Sequence, residues 1–155
     1  LLALNPKDVD LKKRTISITK SYQRLGKKDV ITPPKTPKSK RVITIPEFLA
    51  TDIKDYMDSL YDLQENDRLF PITKYYLEHE MQRGIKESGV KRIRVHDLRH
   101  SHASMLIELG FSPLEIANRL GHEKVETTLN TYAHLYPNKQ TKLAERLDSE
   151  YREDL

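Results

Sequence analysis

The chain has 155 residues, 37% of them hydrophobic, with 27 Lys/Arg against 23 Asp/Glu and no cysteine. That length supports one sizeable core, and the lack of cysteine excludes a disulfide framework or a thiolate metal site. No apolar run approaches the roughly 20 residues that span a bilayer and no signal-like segment opens the chain, so the expectation is a soluble, unexported, cytoplasmic protein.

The net charge of +4 hides an asymmetry. Residues 1–46 carry 12 Lys/Arg and 3 Asp/Glu, whereas residues 47–155 carry 15 and 20. The basic end is the expected phosphate-facing surface. In a chain that is 32% charged, a solvated charged face accounts for the same composition equally well.

In chain order, Leu1 to Leu4 reads as the last turn of a helix whose earlier turns lie upstream, closed by Asn5-Pro6. Arg14 to Lys20 alternates Ile16 and Ile18 with Thr and Ser, the period of a half-buried strand. Val30-Ile31 and Val42 to Ile45 complete a small three-stranded antiparallel sheet, and the basic, proline-rich segment from Pro33 to Lys40 is an irregular connection at its tip.

From Pro46 onward the pattern is helical. Pro46 occupies a first helical position, with Phe48, Ile53, Tyr56 and Leu60 spaced to face a core. Thr73 caps a helix over Lys74 to Glu87 whose stripe is Tyr76, Leu77, Met81 and Ile85, and Gly89 ends it. The next helix begins near His96, buries Leu98, Met105, Leu106 and Leu109, and stops at Gly110. Ser112-Pro113-Leu114-Glu115 is a capping box; Leu114, Ile116, Ala117 and Leu120 form the core face behind it, and Gly121 is the left-handed closing residue. Thr127 to Leu135 is one more helix, with Leu129, Tyr132 and Tyr136 on one face. The fold class is α+β: a mostly helical domain with a small three-stranded antiparallel sheet near its N-terminus.

His96 and Arg99, three apart, lie together on the flank of their helix's apolar stripe, placed to point into a cleft. Gly121 holds His122 at a defined corner. Taken singly, each polar group has an ordinary structural explanation: a surface residue, or for Tyr132 a core aromatic with a hydrogen-bonded hydroxyl.

The combination is more specific. His96-Asp97-Leu98-Arg99-His100-Ser101-His102-Ala103-Ser104, then Leu120-Gly121-His122, then Thr127-Thr128-Leu129-Asn130-Thr131-Tyr132-Ala133-His134-Leu135, with Tyr132 ten residues after His122, resembles the catalytic domain of the tyrosine recombinases of temperate-phage and conjugative-transposon integrase type. Pro34 to Arg41 resembles the hairpin segment that carries the family's catalytic lysine. The resemblance runs from about Leu1 to His134. It implies a catalytic domain over 1–137 and a C-terminal tail over 138–155, and it assigns Tyr132 as nucleophile, Arg99 and His122 as phosphate ligands, His96 as the base and Lys35 as the acid. Lys38, Lys40 and Arg41 are expected to contact DNA.

The implied reaction cuts and rejoins DNA through a 3′-phosphotyrosyl link, integrating or excising a mobile element with neither metal nor other cofactor. Physically, a phosphodiester under attack gathers negative charge on its non-bridging oxygens, and each fixed donor there is worth around 3 kcal/mol. Arg99 can offer two parallel N–H groups, His96 and His122 one each. A tyrosine hydroxyl with a pKa near 10 is only about a thousandth ionised at neutral pH, so Tyr132 needs a base or a strong positive field.

Two features of the family have no counterpart in these residues. Its first arginine, expected upstream of Leu1, is unmatched, since Arg14 and Arg24 fall in the strand region. The loss of such an arginine costs on the order of 10³-fold in rate, so this stretch alone is expected to be inactive or nearly so. The family's separate core-binding domain is also unmatched, which predicts weaker binding with steep salt dependence.

The partners implied are double-stranded DNA at attachment sites, further copies in a homotetrameric synapse, and a host bending protein or directionality factor; no membrane is implied. The tail, with Leu143, Leu147 and Tyr151 as its stripe, packs either on a neighbouring protomer, as in the family, or back on its own domain. Two rival functions are a non-catalytic DNA-binding module of the same fold and a metal hydrolase built on His96, His100 and His102. The second lacks a carboxylate pair in the cluster.

Overall fold

The structure is a computed structural model that describes residues 1–26, 28–136 and 140–153, with the side chains of 140–143, 150 and 152–153 outside the described set. The expected boundary between 137 and 138, and the Leu143 side chain, lie outside the described residues.

A 3-10 turn over Pro6–Asp8 leads into strands β1 (Val9–Asp10), β2 (Thr15–Ile18), β3 (Ser21–Leu25), β4 (Lys28–Thr32) and β5 (Arg41–Thr44). Helices α1 (Glu47–Ser59), α2 (Lys74–Ser88), α3 (Asp97–Glu108), α4 (Pro113–Leu120) and α5 (Val125–Tyr132) follow, then a 3-10 turn over Ala133–Leu135 and helix α6 (Gln140–Glu153).

The three-stranded antiparallel sheet exists, in the order β1-β2-β5. Its register sets Ile16 opposite both Val9 and Ile43, which places the apolar side chains on one face. The third strand is not the expected one. Val30-Ile31 lies in β4, which pairs only with β3 as a separate hairpin, from Ser21↔Thr32 to Leu25↔Lys28. Ser21 to Leu25 gave no strand signal because only Tyr22 and Leu25 are apolar and no face of it is buried. The hairpin is instead held by polar groups: Tyr22 Oη donates to Asp29 at 2.8 Å, Arg68 Nη2 reaches the same carboxylate at 3.0 Å, and the Arg68 guanidinium lies 4.4 Å above the Tyr22 ring.

There are two cores. Ile16, Ile45 and Ala50 form one, with Leu4, Val9, Leu11, Ile18, Ile43, Leu49 and Ile53 packed around them, so the sheet closes against α1. Ala103, Leu106, Ile107, Ile116, Leu120 and Tyr132 form the other, from α3, α4 and α5, with Tyr136 against it. Cationic side chains join the halves. Arg41 Nε on β5 donates to Arg119 O at 2.9 Å, Arg119 Nη1 on α4 donates to Thr44 O at 3.0 Å, and Lys38 Nζ donates to Glu123 O at 2.9 Å.

Helix ends follow local chemistry closely. Thr73 accepts from Tyr76 N and Gly89 closes α2 at φ 69°. The Ser112–Glu115 capping box is complete and Gly121 closes α4 at φ 72°. Pro46 stands one position earlier than expected, as the extended cap of α1. Buried faces depart further. Phe48, Tyr76, Leu98, Met105, Leu109 and Leu114 are exposed, while Ala50, Ala103 and Ile107 are buried in their helices. Ala103 explains the turn of α3: with no bulk beyond Cβ it lets α4 and α5 approach closely, so the face carrying it becomes the inner one. The last expected helix is divided, because α5 ends at Tyr132 and continues only as a 3-10 turn.

Candidate active site

The site is built around the start of α3 and the corner that ends α4. Before α3, Asp97 accepts from Arg94 N at 2.8 Å and pairs with Arg94 Nη2 at 2.9 Å, which fixes the turn carrying His96. The Arg94 guanidinium holds the Asp97 carboxyl down to about 2. His96 is exposed, and its ring meets that of His100 edge-on at 5.3 Å. One turn into α3, Arg99 donates through Nη2 to Leu120 O at 2.8 Å, which ties its guanidinium to the last carbonyls of α4.

Gly121 makes that corner possible. Its left-handed backbone lets His122 N return to Ala117 O at 2.9 Å. A Cβ at Gly121 would sit 2.7 Å from Arg41 Nη1, so the Arg41 guanidinium lies directly on the glycine. Arg41 thus belongs to the corner itself, beyond the basic loop from which it was read as a DNA contact. His122 stands between the two guanidiniums in electrostatic terms: burial first, then Arg99 and Arg41, push its imidazole below the usual histidine range. Its Nδ1 is 2.7 Å from Thr128 Oγ1, a fully buried hydroxyl. With Nδ1 so occupied, Nε2 is the nitrogen left for a ligand. A pair of guanidiniums and one imidazole at a single corner can bind a phosphodiester oxygen from several directions.

Tyr132 is the last residue of α5 and is only 4% exposed, packed in the α3–α4–α5 core. Burial pushes its hydroxyl above the usual phenol range, and Arg99 acts in the opposite direction. The hydroxyl's partner is His100, whose Nδ1 lies 2.7 Å from Oη. His96, expected as the base from resemblance, has no hydrogen bond to Tyr132 among the described residues. His100 sits in the quoted motif, and only a contact across 32 residues distinguishes it from its neighbours.

The basic segment is brought to the same corner at one point, through the bond from Lys38 to Glu123 O. The side chains of Lys35 and Lys40 lie exposed on that segment without a hydrogen-bond partner among the described residues. A second basic groove, of about 750 Å³, is lined by Lys74, His79, Arg92, Arg94 and His96 beside the exposed ring of Tyr75. Charge summed over residues 47–155 is negative and concealed it. His102 is held by Arg119, whose Nε donates to His102 Nε2 at 3.1 Å. Among the described residues no three His, Cys, Asp or Glu side chains are placed to hold a metal ion. Among them too, no helix is long and apolar enough to cross a membrane.

Residues 1–139 match the phage integrase family. The chain is 34% identical over 161 residues to the ICEBs1 integrase of Bacillus subtilis, covering 96% of this chain and 44% of that protein. It is 31% identical over 168 residues to the integrase of Staphylococcus phage L54a, covering 96% and 47%. It thus spans about half the length of these relatives. Among solved structures, the Tn1549 transposon integrase in complex with circular intermediate DNA superposes with a TM-score of 0.77 at 22% identity, over 96% of this chain and 53% of that one. XerA recombinase superposes with a TM-score of 0.59 at 26% identity, over 96% and 50%. The α+β fold, the three motifs in their order and the family match agree, and the chain belongs to the phage integrase family.

Proposed function

We propose that this chain supplies the catalytic part of a site-specific DNA recombinase, an integrase that cleaves double-stranded DNA at attachment sites and rejoins it through a 3′-phosphotyrosyl intermediate. The observation that carries the reading is the corner where Arg41 lies against Gly121, Arg99 bonds Leu120 O and His122 follows, with Tyr132 under the electrostatic influence of Arg99. Arg99 and Arg41 neutralise the non-bridging oxygens, and His122 donates from Nε2 as charge builds there. Tyr132 attacks phosphorus. Lys35, exposed and free of hydrogen-bond partners among the described residues, gives a proton to the departing 5′ oxygen. The phosphotyrosyl bond retains the phosphodiester's free energy, so a 5′-hydroxyl of another strand reverses the step without ATP.

DNA lies along the Lys35–Arg41 segment and the groove lined by Lys74, Arg92 and Arg94, which offer cations for phosphate contacts. Recombination pairs four copies on two duplexes. Leu147 and Tyr151 on α6 are exposed, and so are Phe48, Met105 and Phe111 around a groove of about 960 Å³. In this reading the tail helix α6 packs either on a neighbouring copy, linking the active sites of the synapse, or back on its own domain. A host bending protein or directionality factor sets the choice between integration and excision.

The test is to incubate the full-length protein with nicked DNA that traps cleavage, in the presence of EDTA, and to map the covalent 3′ adduct. An adduct at Tyr132 that vanishes in Tyr132→Phe is the expected result. An adduct that persists in Tyr132→Phe removes the nucleophile assignment, and no adduct in either protein leaves a DNA-binding module in place of an enzyme.

A further inference from the structure

Tyr132 is buried and protonated at rest, so its reactivity depends on what receives the proton. The geometry narrows the choice. His100 Nδ1 lies 2.7 Å from Tyr132 Oη, with the two ring centroids 5.7 Å apart. Among the described residues His96 has no hydrogen bond to Tyr132, and its ring meets that of His100 edge-on. Neither Arg99 nor Arg41 can accept a proton, and His122 Nδ1 is engaged by Thr128. His100 also has a way out. It lines a groove of about 600 Å³ between α3 and the segment before it, with Lys91, Arg92, Asp97, Ser101 and Glu108 around the opening. A proton taken from the core side of the ring can therefore exchange with water on the other.

We propose that His100 is a catalytic residue of strand cleavage, the base that accepts the Tyr132 proton and returns it on rejoining. This rests on the recombinase reading above. In the resting state the imidazole carries its proton on Nε2, and Nδ1 accepts from the Tyr132 hydroxyl. As the bond from Oη to phosphorus forms and the bond from phosphorus to O5′ breaks, the Oη proton passes to Nδ1 and O5′ takes a proton from Lys35. On rejoining, the attacking 5′-hydroxyl gives its proton back to the Lys35 amine. The phosphotyrosyl bond breaks, and Oη recovers its proton from Nδ1. The groove that His100 lines also carries the side chains of Asp97, Glu108, Lys91 and Arg92, and the His96 ring meets the imidazole edge-on. The acid and the base then lie on different elements, Lys35 on the connection between β4 and β5 and His100 on α3, so each can be removed without touching the other.

The experiment measures single-turnover cleavage by the full-length protein at saturating enzyme. His100→Asn places an amide oxygen near the position of Nδ1, which preserves the hydrogen bond to Tyr132 but cannot hold a proton. The expected rate falls on the order of 10²-fold, with DNA affinity and melting temperature unchanged. His100→Ala opens the groove to added imidazole, and its rate is expected to rise saturably, in proportion to the basicity of a series of substituted imidazoles. A role confined to packing would give no such dependence. His100→Asn cleaving within about threefold of the parent overturns the proposal, as does a His100→Ala rate indifferent to every imidazole. Either of those outcomes, with the adduct still lost in Tyr132→Phe, removes the base and leaves the recombinase reading standing.

Discussion

Replacing Gly121 by Ala separates backbone strain from active-site displacement. At φ 72° an L-residue sits in the left-handed region at a cost of roughly 1–2 kcal/mol, and the new Cβ would lie 2.7 Å from Arg41 Nη1, 3.1 Å from its Cζ and 3.2 Å from its Cδ. Ordinary contact needs about 3.5 Å or more, so the guanidinium must retreat by nearly 1 Å. Gly89 is the natural control. It closes α2 at φ 69°, and a Cβ there meets nothing within 4 Å. Both variants should melt about 2–8 °C lower than the parent. Only Gly121→Ala should also lose cleavage, on the order of 10²-fold, because Arg41 no longer stands at the phosphate corner. Melting curves and single-turnover cleavage of nicked DNA by the full-length protein check both halves. Equal melting losses with undiminished cleavage in Gly121→Ala would refute the placing of Arg41 in the site.

Thr128→Val removes the hydroxyl that fixes His122 Nδ1 and leaves volume unchanged in a fully buried position. A hydrogen bond worth about 1 kcal/mol is exchanged for a buried methyl of similar value, so stability should hold while cleavage falls about tenfold as the imidazole tautomers mix; a large melting loss with unchanged cleavage would contradict this. His122 should be neutral when free, since its pKa lies below the usual range, and a bound phosphate raises it. Binding then takes up a proton, and affinity rises as pH falls from the bound value towards the free one. Calorimetry in two buffers of different ionisation enthalpy should show that uptake, and His122→Gln should abolish it. For stability the sign is opposite. The unfolded chain binds the His122 proton more readily, so acidification through the ordinary histidine range destabilises the fold. Ser112→Ala breaks the α4 capping box at a cost of about 1 kcal/mol, read as a melting loss of about 2–4 °C, with the cleavage rate of the remaining folded protein unaltered.

What the sequence made legible was local. Thr73 with Gly89, and Ser112 with Glu115 and Gly121, are signals complete within one helix, and each end lies where those residues place it. The order of motifs was equally visible, because family likeness needs no coordinates. Contacts between distant segments were not visible. Of the expected stripe of α3, Leu98, Met105, Leu106 and Leu109, only Leu106 is buried; Ala103 and Ile107 join it inside because the approach of α4 and α5 selects the face. The β3–β4 hairpin escaped detection because Arg68, 39 residues from Asp29, supplies a cation where a buried strand would supply apolar side chains. Arg41 reads as part of a basic loop, and only the absence of a side chain at Gly121 lets it lie against the corner that carries His122.

The same long-range contacts explain why this chemistry sits where the two cores meet. Tyr132, His100 and Arg99 are set by the α3–α4–α5 core, whereas Lys35 and Arg41 belong to the sheet half. Among the described residues the two clusters share no buried apolar side chain, and Arg41, Arg119 and Lys38 bond main-chain carbonyls across the gap. Of these three cations, Arg41 also contributes to the positive field at His122. A phosphate arriving there competes for the same guanidinium, so substrate binding and the bonding of the two halves are coupled. DNA that engages Arg41 loosens its hold on Arg119 O unless Nε keeps the carbonyl while the Nη groups turn to the phosphate. The fork geometry of arginine permits that division of donors and the single ammonium of lysine does not, which is a physical reason for arginine at position 41 and lysine at 38.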